Sequence, residues 1–257
     1  MVSLKGKTVF ITGVTSGIGK ASALAFAEAG ANLILCARRE DLLSKLAEEI
    51  KQKFDVKIHA VKLDVRKKND VNKMVASLPA EFIKIDILLN NAGLGRGLNK
   101  FYEDNPDGWE ETIDTNVKGL LYVTYAVLPQ MVERQEGHII NIGSIAGHEA
   151  YPKGAVYCAS KHAVNAITKS LRMDLIDKNI RVSTIDPGLV ETGFSMVRFY
   201  GDEEKAKNTY KGLTPLIAED IADAVLFVAT RKPHVNIAQM VVFPTAQASS
   251  TLVHRNG

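Results

Sequence analysis

KTVFITGVTSGIGKASALAFAEAG, residues 7–30, is the stretch from which the fold is read. Residues 7–12 form a short run rich in β-branched and aromatic side chains, and Gly13, Gly17 and Gly19 follow it. Residues 18–29 then read as an amphipathic, alanine-rich helix stopped at Gly30. Strand, glycine turn and helix make an arrangement that cradles phosphate, because glycines admit close backbone approach and a helix N-terminus offers amide donors and a positive dipole end. The spacing TGxxxGxG differs from the commoner GxGxxG, and a glycine cluster by itself is equally well a tight turn. Its place between strand and helix is what favours phosphate binding.

Working outward, the same alternation continues. Further strands are expected at 32–36, 57–63, 85–89, 138–143, 180–185 and 239–243, and helices at 40–53, 66–78, 107–133, 155–175 and 219–230. Strands alternating with helices predict an α/β protein with a seven-stranded, mostly parallel sheet covered on both faces. No repeat, low-complexity tract or linker interrupts 1–257, so one domain is expected.

Composition narrows the function classes. The chain has 46% hydrophobic and 24% charged residues and a net charge of +3, too small to argue for nucleic acid or a membrane surface. Cys36 and Cys158 lack metal-ligand spacing, the six histidines show none either, and no metal is expected. The N-terminus runs directly into the first strand without a signal-peptide pattern, and no apolar run approaches a membrane span. A soluble, cytoplasmic protein is the expectation.

Several residues stand where sheet ends bind ligands. Strand 32–36 runs into Ala37-Arg38-Arg39, where an acidic residue would suit a ribose hydroxyl; guanidinium groups instead suit a 2′-phosphate, hence NADP, unless Arg39 is merely solvated. Asp64 is placed either to accept from an adenine amine or to cap the next helix. Asn90 and Asn91, before Ala92-Gly93, can tie strands or line a cofactor. Asn116 falls inside the helical stretch 107–133, a disfavoured position, and either bends it and holds a water or sits at a surface. Ser144 follows strand 138–143. Tyr157 and Lys161, four apart, share a helical face. A phenol ordinarily titrates near ~10, and a neighbouring ammonium favours its ionised form. Ser144, Tyr157 and Lys161 thus make an acid–base group, although such Tyr/Lys pairs also occur on solvated helices.

Taken in order, Thr12-Gly13-x-x-x-Gly17-x-Gly19, Asn90-Asn91-Ala92-Gly93, Asn116, Ser144, Tyr157-x-x-x-Lys161 and Pro187-Gly188 resemble the short-chain dehydrogenase/reductase family over essentially the whole chain. Ala37-Arg38-Arg39, Leu78-Pro79-Ala80-Glu81, Pro187-Gly188-Leu189-Val190, the segment 194–202 and the tail Phe243-Pro244-Thr245-x-Gln247 resemble its NADP-dependent 3-hydroxy acid dehydrogenases. The resemblance implies a doubly wound Rossmann-type fold and hydride transfer with NADP(H). It makes Tyr157 the general acid/base, with Lys161 lowering its pKa, Ser144 holding the substrate oxygen and Asn116 keeping a water-linked proton path to Lys161. It sets NADP(H) against Gly13, Thr15, Ser16, Gly17, Ile18, Gly19, Arg38, Arg39, Asp64, Val65, Asn91, Ala92, Gly93, Tyr157, Lys161, Pro187, Gly188, Val190 and Thr192, and the substrate against Ser144 and Tyr157. The carboxylate of a 3-hydroxy acid wants a cation, for which Arg198 is the first candidate, its alternative being a surface or subunit-contact arginine. Arg96 and Lys153 rank behind it. Cys158 is expected to be packed. Family members with such helices are commonly homo-oligomers, a tetramer before a dimer. The rival enzymatic reading is a reductase of another carbonyl, such as a ketoacyl ester, ketone or diketone; a non-catalytic NADP sensor would have no need of all of Ser144, Tyr157 and Lys161.

Overall fold

The computed structural model describes residues 2–256. Seven strands form one sheet: β1 (Thr8–Thr12), β2 (Asn32–Ala37), β3 (Ile58–Lys62), β4 (Ile87–Asn90), β5 (Gly137–Ile142), β6 (Ile180–Pro187) and β7 (Gln239–Val242). Their order is β3-β2-β1-β4-β5-β6-β7, and every pairing is parallel. The expected mostly parallel sheet is therefore wholly parallel. The chain builds outward from β1 to β3 and crosses back to begin the other half at β4. The carboxyl ends of β1 and β4 diverge there, which opens the crevice where such sheets bind ligands.

Alternation along the strands sends side chains to two cores. Val9, Ile11, Leu33, Leu35, Ile87, Leu89 and Ile140 face the helices α1 (Gly17–Glu28), α2 (Glu40–Lys53) and, near the chain's end, a helix over Ala218–Ala229. Phe10, Ile34, Leu88, Ile139 and Val182 face the other side, packing on α3 (Lys68–Ala76) and on a helix over Leu120–Arg134. Phe10, Ile34 and Leu88 are fully buried, each stabilising the fold by about 1.5–3 kcal/mol relative to exposure.

Between these elements the expected helix 107–133 proves to be three pieces. These are α4 (Pro106–Ile113), one π-helical turn (Asp114–Gly119) and α5 (Leu120–Arg134). The expected helix 66–78 starts later, at Lys68, because Asp64 binds the Arg66 guanidinium at 2.6 Å and Lys67 occupies the N-cap position. Helix α6 (Ala155–Asp174) carries Tyr157 and Lys161. Two short helices that the sequence pattern does not announce, α7 (Phe194–Arg198) and α8 (Glu203–Asn208), precede α9 (Ala218–Ala229) and lie over the carboxyl edge of the sheet. Among the described residues no helix is long and apolar enough to cross a membrane.

Candidate active site

A cavity of about 700 Å³ runs along the carboxyl ends of the strands. At one end is the turn after β1. Gly13 has φ +72°, and a Cβ there would lie 2.8 Å from Ala92 Cα, so only glycine lets the loops after β1 and β4 approach. Asn91 locks them: its Nδ2 donates to Thr12 O (2.9 Å) and Gly13 O (3.0 Å), while Thr12 Oγ1 accepts from the Asn91 and Ala92 amides. The Asn90 amide donates to Thr124 and Asn141. The asparagines thus tie strands, and Asn91 also lines the cavity.

Thr15, Ser16, Gly17 and Ile18 line this end, but Gly19 does not. A Cβ on Gly19 would be 2.4 Å from both Asn91 Nδ2 and Gly13 O; the residue is a spacer behind the wall and not a contact on it. The Arg39 guanidinium lies across the loop, donating from Nη2 to Thr15 Oγ1 (2.8 Å) and Ser16 Oγ (3.1 Å). Arg38 is partly neutralised by Glu111 at 3.4 Å. Asp64 and Val65 line the cavity beyond them, and Asp64's carboxyl, pushed up by burial, is held below its usual range by the Arg66 hydrogen bonds. Its alternative role as a helix cap is not the one adopted.

The other end brings together Ser144, Tyr157 and Lys161. Ser144 leaves β5, caps the short turn Ile145–Gly147 by accepting from Ala146 N (3.1 Å), and is 8% exposed. Lys161 is 7% exposed and donates from Nζ to Ile142 O at 2.9 Å. Burial pushes its pKa down to about 8, and the Asp186 carboxylate opposes that fall. Asp186 is itself fully buried, held by Gln239 Nε2 and His148 Nε2, each at 2.8 Å.

Tyr157 faces the same cavity. Burial raises its phenol above the ordinary value; the cation that opposes this is the Arg198 guanidinium, followed by the Ser144 hydroxyl. Lys161 Nζ lies 5.9 Å from the ring centre, with its hydrogen bond directed to Ile142 O. Arg198 reaches the cavity from α7, with its Cζ 4.6 Å from the Tyr157 ring centre and 5.0 Å from that of Phe194. Its Nη2 donates to Tyr151 Oη at 3.2 Å, and its Nε is buried without a partner. Gly95 leaves room for it, since a Cβ there would come within 3.0 Å of Nη2.

Asn116 is buried outside the cavity wall, in the π turn. Its Oδ1 accepts from Leu94 N (2.8 Å), and its Nδ2 donates to Leu94 O (2.8 Å) and Ser160 Oγ (3.0 Å). Pro187, Gly188, Val190 and Thr192 line the cavity between the two ends. Arg96 borders it, engaged by Glu111 at 2.6 Å; Lys153 is exposed and does not. Tyr151, Phe194 and Asp186 were not anticipated. Tyr151 had one sequence signal, a phenol in the loop between Ser144 and Tyr157, and its hydroxyl is pushed up to about 12 by burial despite Arg198.

A family model described as short chain dehydrogenase matches residues 7–202. The chain belongs to the short-chain dehydrogenase family. Within it, the chain is 46% identical over 256 residues to the NADP-dependent 3-hydroxy acid dehydrogenase of Schizosaccharomyces pombe, covering 99% of both chains. It is 44% identical over 243 residues to sulfoacetaldehyde reductase 2 of Chromohalobacter salexigens, covering 94% of this chain and 96% of the other. A solved structure, the closed form of serine dehydrogenase complexed with NADP+, superposes with a TM-score of 0.91 at 45% identity, covering 97% of this chain and all of that one.

Proposed function

We propose that this short-chain dehydrogenase interconverts a small 3-hydroxy acid, of the serine, allo-threonine or 3-hydroxyisobutyrate type, with its carbonyl or semialdehyde, using NADP(H). The observation that carries the substrate class is Arg198: a guanidinium in the cavity wall beside Tyr157, with a buried, unpartnered Nε. A guanidinium that lines the cavity and is hydrogen-bonded only to the Tyr151 hydroxyl suits a substrate carboxylate, which it holds by charge-assisted bonds. The named activities of the relatives agree with this chemistry.

The residues present fit NADP. The glycine turn leaves room for a pyrophosphate, and Arg39, bonded only to hydroxyls, keeps its charge for a 2′-phosphate. Asp64, Val65, Asn91, Ala92 and Gly93 would border the adenosine half, and Pro187, Gly188, Val190 and Thr192 the nicotinamide half. When bound, the cofactor supplies the hydride acceptor for oxidation and the donor for reduction. Ser144 holds the substrate oxygen. Tyr157 takes the hydroxyl proton as the substrate C–H bond breaks, or returns it in reduction. Lys161, anchored on Ile142 O, supports the nicotinamide ribose. Asn116 acts by tethering Leu94 to α6 through Ser160, which keeps the Lys161 helix and the β4 loop in register.

We assign a cytoplasmic location, supported by two buried free cysteines, and a homo-oligomer, a tetramer before a dimer. The second is supported by exposed Leu121, Tyr125, Met173 and Ile176 on and after α5 and α6. Light scattering of the purified protein measures the second.

The function is tested by following NADP reduction with L-serine, D-serine, L-allo-threonine, 3-hydroxyisobutyrate and 3-hydroxypropionate beside alcohols lacking a carboxylate. Turnover favouring the acids is expected. Turnover confined to neutral alcohols would overturn the substrate class while leaving the family, and silence across the panel would redirect it to ketoacyl and diketone reduction.

A further inference from the structure

We infer that Glu111 is a positioning residue whose carboxylate couples the 2′-phosphate of NADP to α7, so that the phosphate tightens the wall facing the substrate. The inference rests on the reading that sets this phosphate against Arg38 and Arg39, but not on the identity of the substrate.

Glu111, on α4, is shared among cations. Its Oε1 lies 3.4 Å from Arg38 Nη1 and 3.6 Å from Arg66 Nη1, and its Oε2 accepts from Arg96 Nε at 2.6 Å. Burial pushes its carboxyl up, but the Arg96 hydrogen bond and the neighbouring charges hold it below the ordinary range. Arg66 is already committed to Asp64 at 2.6 Å. Among the described residues Glu111 is the one carboxylate within ion-pair distance of Arg38. Arg38 and Arg96 thus compete for the same group.

Arg96 carries the connection to α7. Its Nη1 donates to Val197 O at 2.6 Å, and its guanidinium carbon lies 5.0 Å from the centre of the Tyr200 ring. The amide of Gly97, next in the chain, donates to Arg198 O at 3.0 Å. Tyr200 has φ +53°, in the left-handed region that a bulky residue occupies only where its surroundings hold it. Those surroundings are Arg96 and Gly108 on α4, where a Cβ would lie 2.7 Å from Tyr200 Oη and 2.8 Å from Arg96 Cβ. Helix α7 therefore ends on a strained turn braced by Arg96. Its residues Phe194, Ser195 and Arg198 line the cavity.

A phosphate monoester brings close to two negative charges. At Arg38 it takes over the guanidinium and repels the Glu111 carboxylate, and both effects drive Glu111 toward Arg96. Arg96 is then held more firmly against Val197 and Tyr200. NAD+, which lacks only this phosphate, leaves Glu111 divided. Coupling between sites is reciprocal, so whatever orders α7 favours NADP+ over NAD+ by the same factor.

The experiment follows backbone hydrogen exchange at α7 in wild type, Glu111→Gln and Arg38→Ala, each saturated with NADP+ or NAD+ at concentrations set from Kd values measured by calorimetry. The reporting amides are those of Phe199, Tyr200 and Gly201, which donate to Ser195 O, Val197 O and Met196 O. In wild type NADP+ should slow their exchange about fivefold more than NAD+ does, the low end of coupling between sites. Glu111→Gln should bring the NADP+ complex down to the protection given by NAD+. Arg38→Ala leaves Glu111 undivided and should bring the NAD+ complex up to the protection given by NADP+. A packing defect would not move the two variants in opposite directions. Equal protection by both cofactors in wild type, or a difference that survives in Glu111→Gln, would overturn the inference. A wild type that binds NADP+ tighter than NAD+ yet shows equal protection loses the inference alone; one that also binds the two alike loses the phosphate site with it.

Discussion

Lys161 shows how one residue carries opposed demands. Its ammonium stands near the phenol to which the proposed function gives the proton transfer, yet it is 7% exposed and pairs with no carboxylate within the described residues. Its pKa falls from 10.5 to about 8 on folding, because burial outweighs the distant attraction of Asp186. The sign of the linkage follows. Below about pH 8 both folded and unfolded chains hold the proton, and the full cost of burying the charge is present; between about 8 and 10.5 the folded chain has released it and the unfolded chain has not, so stability rises with pH across that window. Across it the contribution amounts to about 3 kcal/mol. Replacing Lys161 by Met removes the titration. Denaturant unfolding of the cofactor-free protein at a series of pH values should show wild type gaining about 3 kcal/mol on Lys161→Met across the window. A constant difference would show that Lys161 is not buried as a charge. At this scale strand end and helical spacing were enough to expect Ser144, Tyr157 and Lys161 at one place, and the structure sets all three on one cavity wall; their roles came from the family resemblance. Arg198 was legible only as a candidate, since no periodicity in residues 188–213 fixes where α7 turns its side chains. Asp186 was illegible and Tyr151 left only the weak signal of a phenol between Ser144 and Tyr157, because their roles arise from contacts across the sheet edge.

Elements were read more completely than their joints. The strands and most helices lie within a few residues of expectation because binary pattern sets them. The stretch 107–133 is the instructive exception. Its sequence supports helix throughout, but a continuous α-helix has no special place for Asn116. The π turn Asp114–Gly119 puts this side chain in the interior, bonded at both ends of its amide to Leu94 and to Ser160. Tertiary hydrogen bonds thus overcome a local preference, the common origin of single π turns at functional sites. Gly93 belongs to the same device, a Cβ there lying 3.2 Å from Asn116 Oδ1. Asn116→Ala strands the buried Leu94 amide and carbonyl together, at a cost of about 2–3 kcal/mol. For a chain of this size that is a fall in Tm of about 5–10 °C, measurable by calorimetry. NADP+ affinity should change less than turnover, because Asn116 lies outside the cavity wall. An unchanged Tm would mean that the π turn is held by the helices flanking it.

Across the whole molecule, the site exists because seven parallel strands end along one edge and the chain reverses between β1 and β4. The sequence could place the phosphate turn, Arg38-Arg39 and the loop after β4 on that edge, since each follows a readable strand. It could not place the wall made by Gly193, Phe194, Ser195, Val197, Thr209, Tyr210, Ser250 and Thr251, which converge through irregular chain. Cofactor binding consequently ties distant segments together and should stabilise the fold as a unit. At NADP+ one hundred times its Kd the stabilisation is about 2.7 kcal/mol, or a Tm rise of about 5–10 °C. Arg39 decides which cofactor obtains it. Its guanidinium already spans Thr15 and Ser16, and no carboxylate among the described residues neutralises it. Losing one charge-assisted contact to a 2′-phosphate weakens binding by about 100-fold. At the same NADP+ concentration the stabilisation of Arg39→Ala should therefore drop to about 0.4 kcal/mol. The shift given by NAD+, which offers no 2′-phosphate, should stay as in wild type. Thermal melts of both proteins with both cofactors decide the matter. If the NAD+ and NADP+ shifts fall together, Arg39 serves the cofactor by bracing the Thr15–Ser16 turn, and the selectivity for NADP must come from Arg38.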